Sequence, residues 1–441
     1  MKKPQTKAGL LEQIGRWLVP GLGVKRWMLL ILAGVTLLAV GTGIFLLELY
    51  RTDTRNPLIL DLLSYASLRF LPRLARVLIF AAVGAGLVGY GIWRLNRALL
   101  RPFVRPGEPL LEQLTSFRRL DRGPRVVAIG GGHGISTLLR GLKEHTRNIT
   151  AIVTVADDGG SSGRLRTSLG ILPPGDIRNC LAALSNDEAL LTQLFQYRFS
   201  GAPDLKGHSF GNLFITALTD LTGSFEEAVA ESGRALSVSG RVLPSTLDTV
   251  RLVADMRLPH VVNEVRVAGE SKIPDMAGQV RRVWLEPNNP PAFPPALQAI
   301  LTADVIVVGP GSIYTSLLPN LLVPELQAAV RASRAIKVYV CNIATQAGET
   351  DLYTCHDHVR ALEEHAGEGL FDVVLCNDKY EGDLGGAQWV RVDDRGRGDR
   401  RVYRADLLDA GFPWRHDSAR LASVLMDVFL ERTGPLSDKA A

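Results

Sequence analysis

The chain has 441 residues, enough for a membrane-bound part together with one large domain or two smaller ones. Its net charge of +5 is unevenly distributed: residues 1–125 carry 19 Lys/Arg and 7 Asp/Glu, which leaves 31 basic and 38 acidic residues for the remainder. Because the larger part is mildly acidic, the composition argues against a nucleic-acid-binding surface and predicts no nucleic-acid partner.

The first hundred residues have the pattern of a membrane anchor. Residues 1–26 are polar and basic, and residues 28–47 (MLLILAGVTLLAVGTGIFLL) carry no charge and match the thickness of a bilayer core. Residues 77–93 form a second, shorter apolar run, too apolar on every face for a helix of a soluble core. We therefore predict a two-helix anchor over residues 27–100. Both termini and the main domain are expected in the cytoplasm, which makes this a multi-pass protein of the cell membrane.

A Pro- and Gly-rich linker, residues 101–124, leads to a main domain over residues 125–441. Apolar segments alternate there with helical patterns, which predicts a doubly wound, mainly parallel Rossmann-like α/β sheet. Residues 241–284 are Val-rich and broken by turns, which predicts a small β insertion. We expect Val283 to Leu285 to return to the main sheet.

Two glycine turns directly follow apolar strands. Glycine lets the backbone approach a ligand, and the helix behind each turn offers free N–H groups to an anion. We predict that the first turn cradles a diphosphate, although GGGHG is not the dinucleotide pattern GxGxxG. The second turn, with its hydroxyls, suits another anionic group. A purely structural role is the alternative for each. The residues concerned are Gly130, Gly131, Gly132, His133 and Gly134 in the first turn, and Gly309, Gly311, Ser312, Thr315 and Ser316 in the second.

Three further polar segments supply candidate ligand contacts. Asp157 and Asp158 follow the second strand and suit Mg²⁺, whereas Ser161 and Ser162 suit phosphate; an Asx turn without a ligand is the alternative. Asp176 and Asn179 are candidates for nucleoside contact, although Asp176 could instead cap a helix. His208 and Asn212 are spaced to share a helix face and are predicted to contact the ligand, against a structural role for the histidine. The carboxyl ends of parallel strands meet at one sheet edge, so we expect one nucleotide site there.

Several classes of chemistry find no support in the motifs. There is no Gly-x-Ser-x-Gly elbow and no Walker A motif, and no catalytic residue is assigned. The four cysteines form no CxxC pair. Cys341 and Cys376 lie in or beside apolar segments, where cysteine usually acts as a small buried hydrophobe, so neither a disulfide framework nor a metal site is predicted from them.

Seven motifs occur in order over about residues 125–350: GGGHG, VADDGGSSGRLR, PPGDIRN, YRF, GHSFGNL, GPGSIYTS and NIATQAGET. Together they resemble the gluconeogenesis factor family (YvcK type), a branch of the CofD-like superfamily. The resemblance implies binding of a UDP-sugar such as UDP-N-acetylglucosamine and a role in cell shape and envelope synthesis on gluconeogenic carbon sources. The other branch is a 2-phospho-lactate transferase that uses a guanylyl-activated donor and Mg²⁺; its acidic metal loop would fall on Asp157 and Asp158. His133 stands where the family most often has Thr, and the membrane spans are additional.

These observations predict a membrane-anchored UDP-sugar-binding regulator that acts on an unidentified cell-envelope protein, with homodimerisation left open. The alternative is a Mg²⁺-dependent transferase related to the phospho-lactate enzyme, and Mg²⁺ is the one cofactor considered. A nicotinamide oxidoreductase is a third class: Asp157 suits the acidic residue that ends its second strand, but the glycine spacing does not.

Overall fold

The computed structural model describes residues 119–434, apart from 187–188, 202–203, 260, 277 and 394–400, together with scattered residues between 35 and 93. The chain divides into two units, Met1–Leu110 with Ser437–Ala441, and Leu111–Leu436. The predicted anchor and linker lie wholly or largely outside the described residues. Within the described part of the chain, no helix is both long and apolar enough to cross a bilayer.

Strands and helices alternate through the second unit. The strands are β1 Val126–Gly130, β2 Ile149–Val153, β3 Arg241–Pro244, β4 Arg251–Arg257, β5 Val265–Ala268, β6 Gln279–Glu286, β7 Val305–Val308, β8 Ile336–Val340, β9 Val373–Asn377 and β10 Arg401–Ala405. The helices are α1 Gly132–Leu142, α2 Gly160–Leu169, α3 Gly175–Leu184, α4 Ala189–Gln196, α5 Phe210–Thr222, α6 Phe225–Ala235, α7 Pro294–Leu301, α8 Leu318–Leu321, α9 Pro324–Ala332, α10 Cys355–Ala366 and α11 Ser418–Thr433. A π-helical turn spans Ile313–Leu317, and 3₁₀ turns span Glu270–Lys272 and Pro274–Met276.

Seven strands form a parallel sheet in the order β10-β9-β8-β7-β1-β2-β3. Every residue of the central strands β1, β2 and β7 is buried, as expected for strands covered by helices on both faces. The chain winds from β1 towards β3 and later from β7 towards β10. The order therefore reverses between β1 and β7, and this switch point is where open α/β sheets bind ligands. The predicted doubly wound α/β fold is confirmed.

The β insertion is smaller than predicted and makes its own sheet. Strand β3 belongs to the parallel sheet, beside β2, whereas β4 to β6 form a separate antiparallel sheet in the order β5-β4-β6. The prediction that Val283 to Leu285 return to the main sheet was wrong, because they lie within β6. In that strand Val283 and Leu285 are buried while Arg282 and Glu286 are exposed, which is typical of a strand with one solvated face.

Helix α1 carries the apolar face that its sequence predicts. Ile135, Leu138, Leu139 and Leu142 are all fully buried in the core. At Gly141 the helix meets the backbone of Ser418, at the start of α11, so closely that a Cβ would collide with the Ser418 carbonyl. This glycine therefore allows the last helix to pack against the first.

Two details of the secondary structure were not predicted. Helix α2 begins at Gly160, inside the stretch predicted as an acidic loop, so Ser161 and Ser162 lie in its first turn. Strand β10 pairs with β9 at the sheet edge, and its residues are half-buried or exposed. Because this strand has no continuous apolar run, its pattern did not identify it.

Candidate functional site

A cleft of about 240 Å³ opens beside the loops that follow β1 and β2, next to the switch point. Most of its lining comes from the first turns of helices and the loops before them. The lining residues are His133, Asp157, Gly159, Gly160, Ser161, Ser162, Gly175, Asp176, Arg178, Asn179, Arg198 and Asn212. Segments separated by up to 79 residues in the chain are therefore brought to one place.

The loops meet through backbone atoms as well as side chains. A Cβ on Gly131 would lie 2.6 Å from a carboxylate oxygen of Asp176, and one on Gly175 would lie 3.1 Å from the Asp157 carboxylate. The N–H of Gly132, which has a φ of +64°, donates to the Asp176 carboxylate. Asp176 therefore occupies part of the anion-binding position at the start of α1. It does not cap α3, because the N-cap residue there is Pro174.

Three carboxylates share this part of the molecule. Burial raises the pKa of Asp157 above its ordinary value, and hydrogen bonds from the Gly159 N–H and the Ser162 hydroxyl oppose that rise. Burial, followed by the charge of Asp157, raises the pKa of Asp176 to about 7. The third, Glu270, comes from the insertion, and burial together with Asp157 and Asp176 raises its pKa to about 8. Ionising all three together is unfavourable unless a cation or a proton offsets the charge.

The neighbouring carboxylates of Asp157 and Asp158 point to different partners. Asp157 lines the cleft, with Oδ1 accepting from the Gly159 N–H at 2.8 Å. Asp158 instead accepts from the Ser271 N–H at 2.9 Å and so holds the insertion. The two carboxylates that lie together at the cleft are those of Asp157 and Asp176, rather than the adjacent pair considered as metal ligands from the sequence.

Arginine side chains surround the first glycine turn. Burial lowers the pKa of His133, and nearby guanidinium groups lower it further, those of Arg415, Arg178, Arg140 and Arg198. The imidazole is therefore neutral at pH 7 and sits in a positive field. A neutral imidazole can donate to an anion and gains a proton once an anion cancels that field.

Arg178 forms a buried positive group in the cleft. It is 5% exposed, and burial, followed by repulsion from Arg198, lowers its pKa to about 10. Its terminal nitrogens donate to the Ser209 hydroxyl and, at 2.7 Å, to Asn179 Oδ1. Its Nε has no partner among the described residues. A buried donor without a partner costs free energy, so Arg178 is ready to bind an acceptor group.

His208 and Asn212 converge on Ser161. Asn212 Nδ2 donates to Ser161 Oγ at 3.0 Å, and His208 Nδ1 lies 3.0 Å from the same oxygen. Because Ser161 accepts from Asn212, its hydroxyl hydrogen is available to His208 Nδ1. His208 precedes helix α5, so the predicted shared helix face is wrong, although the two side chains do meet. Asn212 Oδ1 has no partner within the described structure, which leaves an acceptor at the cleft.

The second glycine turn lies behind the first and does not line the cleft. Two of its hydroxyls are engaged internally: Ser312 donates to Glu349 Oε2, and Thr315 donates to Ser312 Oγ at 2.7 Å. Asn342 bonds both backbone groups of Gly311, at 3.0 Å each. Ser316 packs against the first turn, with its Cβ 3.5 Å from the position of a Gly131 Cβ. The contacts to Asn342 and Glu349 were not predicted, although both residues lie in the quoted motif NIATQAGET.

Seven of the predicted contact residues line the cleft, and the remainder support it or pack behind it. Those in the lining are His133, Asp157, Ser161, Ser162, Asp176, Asn179 and Asn212. Sequence reasoning missed Arg178, Arg198 and Glu270. Arg178 stands within the quoted motif PPGDIRN and Arg198 within YRF, so both motifs carried a signal. Glu270 reaches the site only through the folding of the insertion.

Comparison with known proteins places this chain in a family. The family model described as 2-phospho-L-lactate transferase CofD matches residues 126–408. The gluconeogenesis factor of Bacillus subtilis is 45% identical over 326 residues, which cover 70% of this chain and 99% of that protein. A relative from Nostoc sp. is 46% identical over 445 aligned positions, which cover 94% of this chain and 92% of the relative.

A solved structure supports the same assignment. The crystal structure of a UPF0052 family protein from Bacillus halodurans superposes with a TM-score of 0.64 and 42% sequence identity, covering 69% of this chain and 99% of that one. With these relatives and the ordered motifs, the chain belongs to the gluconeogenesis factor family, within the CofD-like superfamily.

Proposed function

We propose that this protein binds a UDP-sugar of the UDP-N-acetylglucosamine type and regulates cell shape and envelope synthesis during growth on gluconeogenic carbon sources. The observation that carries the proposal is that Arg178 and Arg198 line the cleft together with His133 of the first turn of α1. A helix N-terminus and an arginine cluster both favour a phosphate-bearing ligand.

The size and charge of the cleft support a diphosphate within it. Its volume of about 240 Å³ falls below the ~300–1,000 Å³ of whole small-molecule pockets, which suits the charged middle of a nucleotide-sugar. Arg178 would bind the diphosphate, and Asn212 Oδ1 would accept from a sugar or ribose hydroxyl. Asp157 and Asp176 would accept from hydroxyl groups at the rim.

We further propose that residues 28–47 and 77–93 anchor the domain to the cytoplasmic face of the cell membrane. The support is their length and uniform apolarity. The Nostoc relative aligns over 94% of this chain, so most of the segment before residue 119 has a counterpart there. At the membrane the domain would report the level of an envelope precursor to a cell-envelope protein. A homodimer is compatible with this role.

Calorimetric titration of the full-length chain in detergent tests the ligand. We expect UDP-N-acetylglucosamine to bind more tightly than UDP, and UDP more tightly than UMP, because the second phosphate meets the arginines. NAD should bind more weakly than UDP. Equal affinity for UMP and UDP would remove the diphosphate from the proposal, and NAD as the tightest ligand would favour an oxidoreductase.

The alternative function is a Mg²⁺-dependent transfer reaction related to the phospho-lactate enzyme, and the shared cleft of Asp157 and Asp176 favours it. Mg²⁺ takes one or two carboxylates with water and phosphate oxygens, and this pair fits that donor set. Bound there, the ion would neutralise charge on a phosphoryl group. Incubation with UDP-N-acetylglucosamine, or with a guanylyl-lactate donor, in the presence of Mg²⁺ decides between the two functions. Turnover of either compound would overturn the regulator proposal.

A further inference from the structure

Three cysteines from separate elements lie together in the core. Cys341 follows β8, Cys355 is the first residue of α10, and Cys376 lies in β9. All three are buried, and their sulfur atoms lie within 4.8 Å of one another. Among the described residues no other group of three such side chains is close enough to hold a metal ion. The sequence predicted Cys341 and Cys376 as small buried hydrophobes and gave no sign of a disulfide; both are buried, but the prediction overlooked this group and the Cys355–Cys376 disulfide.

Two buried donors lie beside the Cys341 sulfur. The Tyr339 hydroxyl is fully buried and lies against the Cys341 sulfur, and it has no other partner in the described structure. The backbone N–H of Asn342 also points to that sulfur. Burial nevertheless raises the pKa of the Cys341 thiol to about 12, so these donors do not suffice and a bound cation would be needed to hold a thiolate there.

Cys355 lies where negative charge is favoured. It begins α10, a helix of 12 residues whose N-terminus carries the positive end of the helix dipole. Ionising three buried thiols side by side needs a counter-charge, and a bound cation would supply it.

The spacing of Cys355 and Cys376 favours a metal bridge over a disulfide. The structure joins their sulfurs as a disulfide, but their Cα atoms are 7.1 Å apart. Disulfide-bonded pairs usually have Cα separations of about 4.4–6.8 Å. Two thiolates on one metal, each at about 2.3 Å from it, span a larger distance. A disulfide also leaves Cys341 as an unpaired buried thiol beside it.

We propose that Cys341, Cys355 and Cys376 form a binding site for a thiophilic d¹⁰ cation such as Zn²⁺. Three thiolates supply three of the four positions of a tetrahedral ion, and soft sulfur donors select such ions over Mg²⁺. Cys341 directly precedes Asn342, which holds Gly311 of the second glycine turn. Binding would therefore hold in place the strand end that carries this turn.

Metal titration of the reduced, chelator-treated, full-length chain tests the proposal. Co²⁺ serves as the spectroscopic substitute for Zn²⁺. We expect about one ion per chain, with a thiolate-to-cobalt charge-transfer band that Zn²⁺ abolishes by displacement. Cys341→Ala should weaken Co²⁺ binding by at least ~10–100-fold, because the loss of an outer hydrogen-bond partner alone already costs a metal site that much. Cys180→Ala is the matched control, because Cys180 is buried outside the group, and it should bind as the unmodified chain does.

Three results would overturn the proposal: no charge-transfer band in the unmodified chain, equal binding by Cys341→Ala, or a Cys355–Cys376 disulfide that forms in place of metal uptake and persists in Cys341→Ala. Thermal unfolding checks the fold of each variant. If Cys341→Ala does not fold, Cys355→Ser provides the same comparison at the first residue of α10. Loss of the charge-transfer band in Cys355→Ser supports the site, and retention of the band overturns the proposal.

Discussion

The two glycine turns at the switch point have similar sequences and different surroundings. The turn after β1 borders a cleft in which charged groups such as Arg178 and Asp176 lie close together. In the turn after β7, the Gly311 backbone is bonded to Asn342 and the Ser312 hydroxyl to Glu349. The first turn therefore has polar groups available for a ligand, whereas the second acts as a brace behind it. Two similar local motifs therefore take different roles, because the rest of the chain hydrogen-bonds the polar groups of one and leaves those of the other available to a ligand.

The largest effect expected is on ligand binding at the first turn. Arg178→Ala should weaken UDP-N-acetylglucosamine binding by about 100-fold, since removing one member of a buried charge pair costs ~2–5 kcal/mol. The affinity of Arg178→Lys should lie between those of Arg178→Ala and the unmodified chain, because lysine keeps the charge and loses the planar donors. Calorimetry measures both, with the exposed Arg234→Ala as control. Unchanged affinity in a folded Arg178→Ala variant would remove the first turn from the ligand site.

The second turn should respond in stability rather than in binding. Glu349→Ala leaves the buried hydroxyl of Ser312 without its acceptor, which should lower the free energy of unfolding by ~1–3 kcal/mol. Glu349→Gln keeps an acceptor oxygen and should lose less. Urea unfolding measures the change. Should Glu349→Gln abolish ligand binding while the stability stays the same, the second turn would be a ligand site and the contrast would fail.

The third effect is a gain in stability at the first turn. The folded-state pKa of Asp176, about 7, lies above its ordinary value of 3.8. Its contribution to stability is therefore fully present below pH 3.8 and is lost as the pH rises through 7. Asp176→Asn removes that loss and should stabilise the chain by ~1–3 kcal/mol at pH 8, since each pKa unit corresponds to about 1.4 kcal/mol.

Urea unfolding at pH 5 and pH 8 tests the direction of this pH dependence of stability. The difference between Asp176→Asn and the unmodified chain should grow with pH. Asp304→Asn is a contrasting control, because the Arg125 hydrogen bonds outweigh burial and lower the pKa of Asp304, so this change should destabilise at pH 8. A stability loss in Asp176→Asn at pH 8 would show that the buried charge is offset by partners in the cleft.

The smallest effect concerns His133. Its pKa is lowered by burial and by the arginines, and a bound diphosphate would cancel part of that field and raise it. Binding would then take up a proton, so the affinity should increase a few-fold as the pH falls from 8 to 6. Calorimetry in buffers of different ionisation enthalpy measures the uptake. His133→Gln should reduce the proton uptake, and the part that remains would come from Asp176 and Glu270. Proton uptake that is unchanged in His133→Gln would exclude the imidazole as its source.

The success of sequence reasoning differed between elements for physical reasons. Buried strands such as β1 and β7 were predicted because a strand covered on both faces must be apolar throughout. The edge strand β10 was missed because its residues face solvent and its pairing with β9 depends only on position in the sheet. Likewise the register of β6 depends on pairing with β4, which its own pattern does not specify.

The sequence by itself determined the fold class, the family and the polar segments that meet at the switch point, because periodicity, turn residues and ordered motifs are local signals. Only the tertiary structure decided which of these segments are open to a ligand, that Glu270 joins the acidic group, and that Cys341, Cys355 and Cys376 come together. Burial, hydrogen-bond satisfaction and mutual charge are properties of groups distant in the chain, and they are settled only when the elements pack.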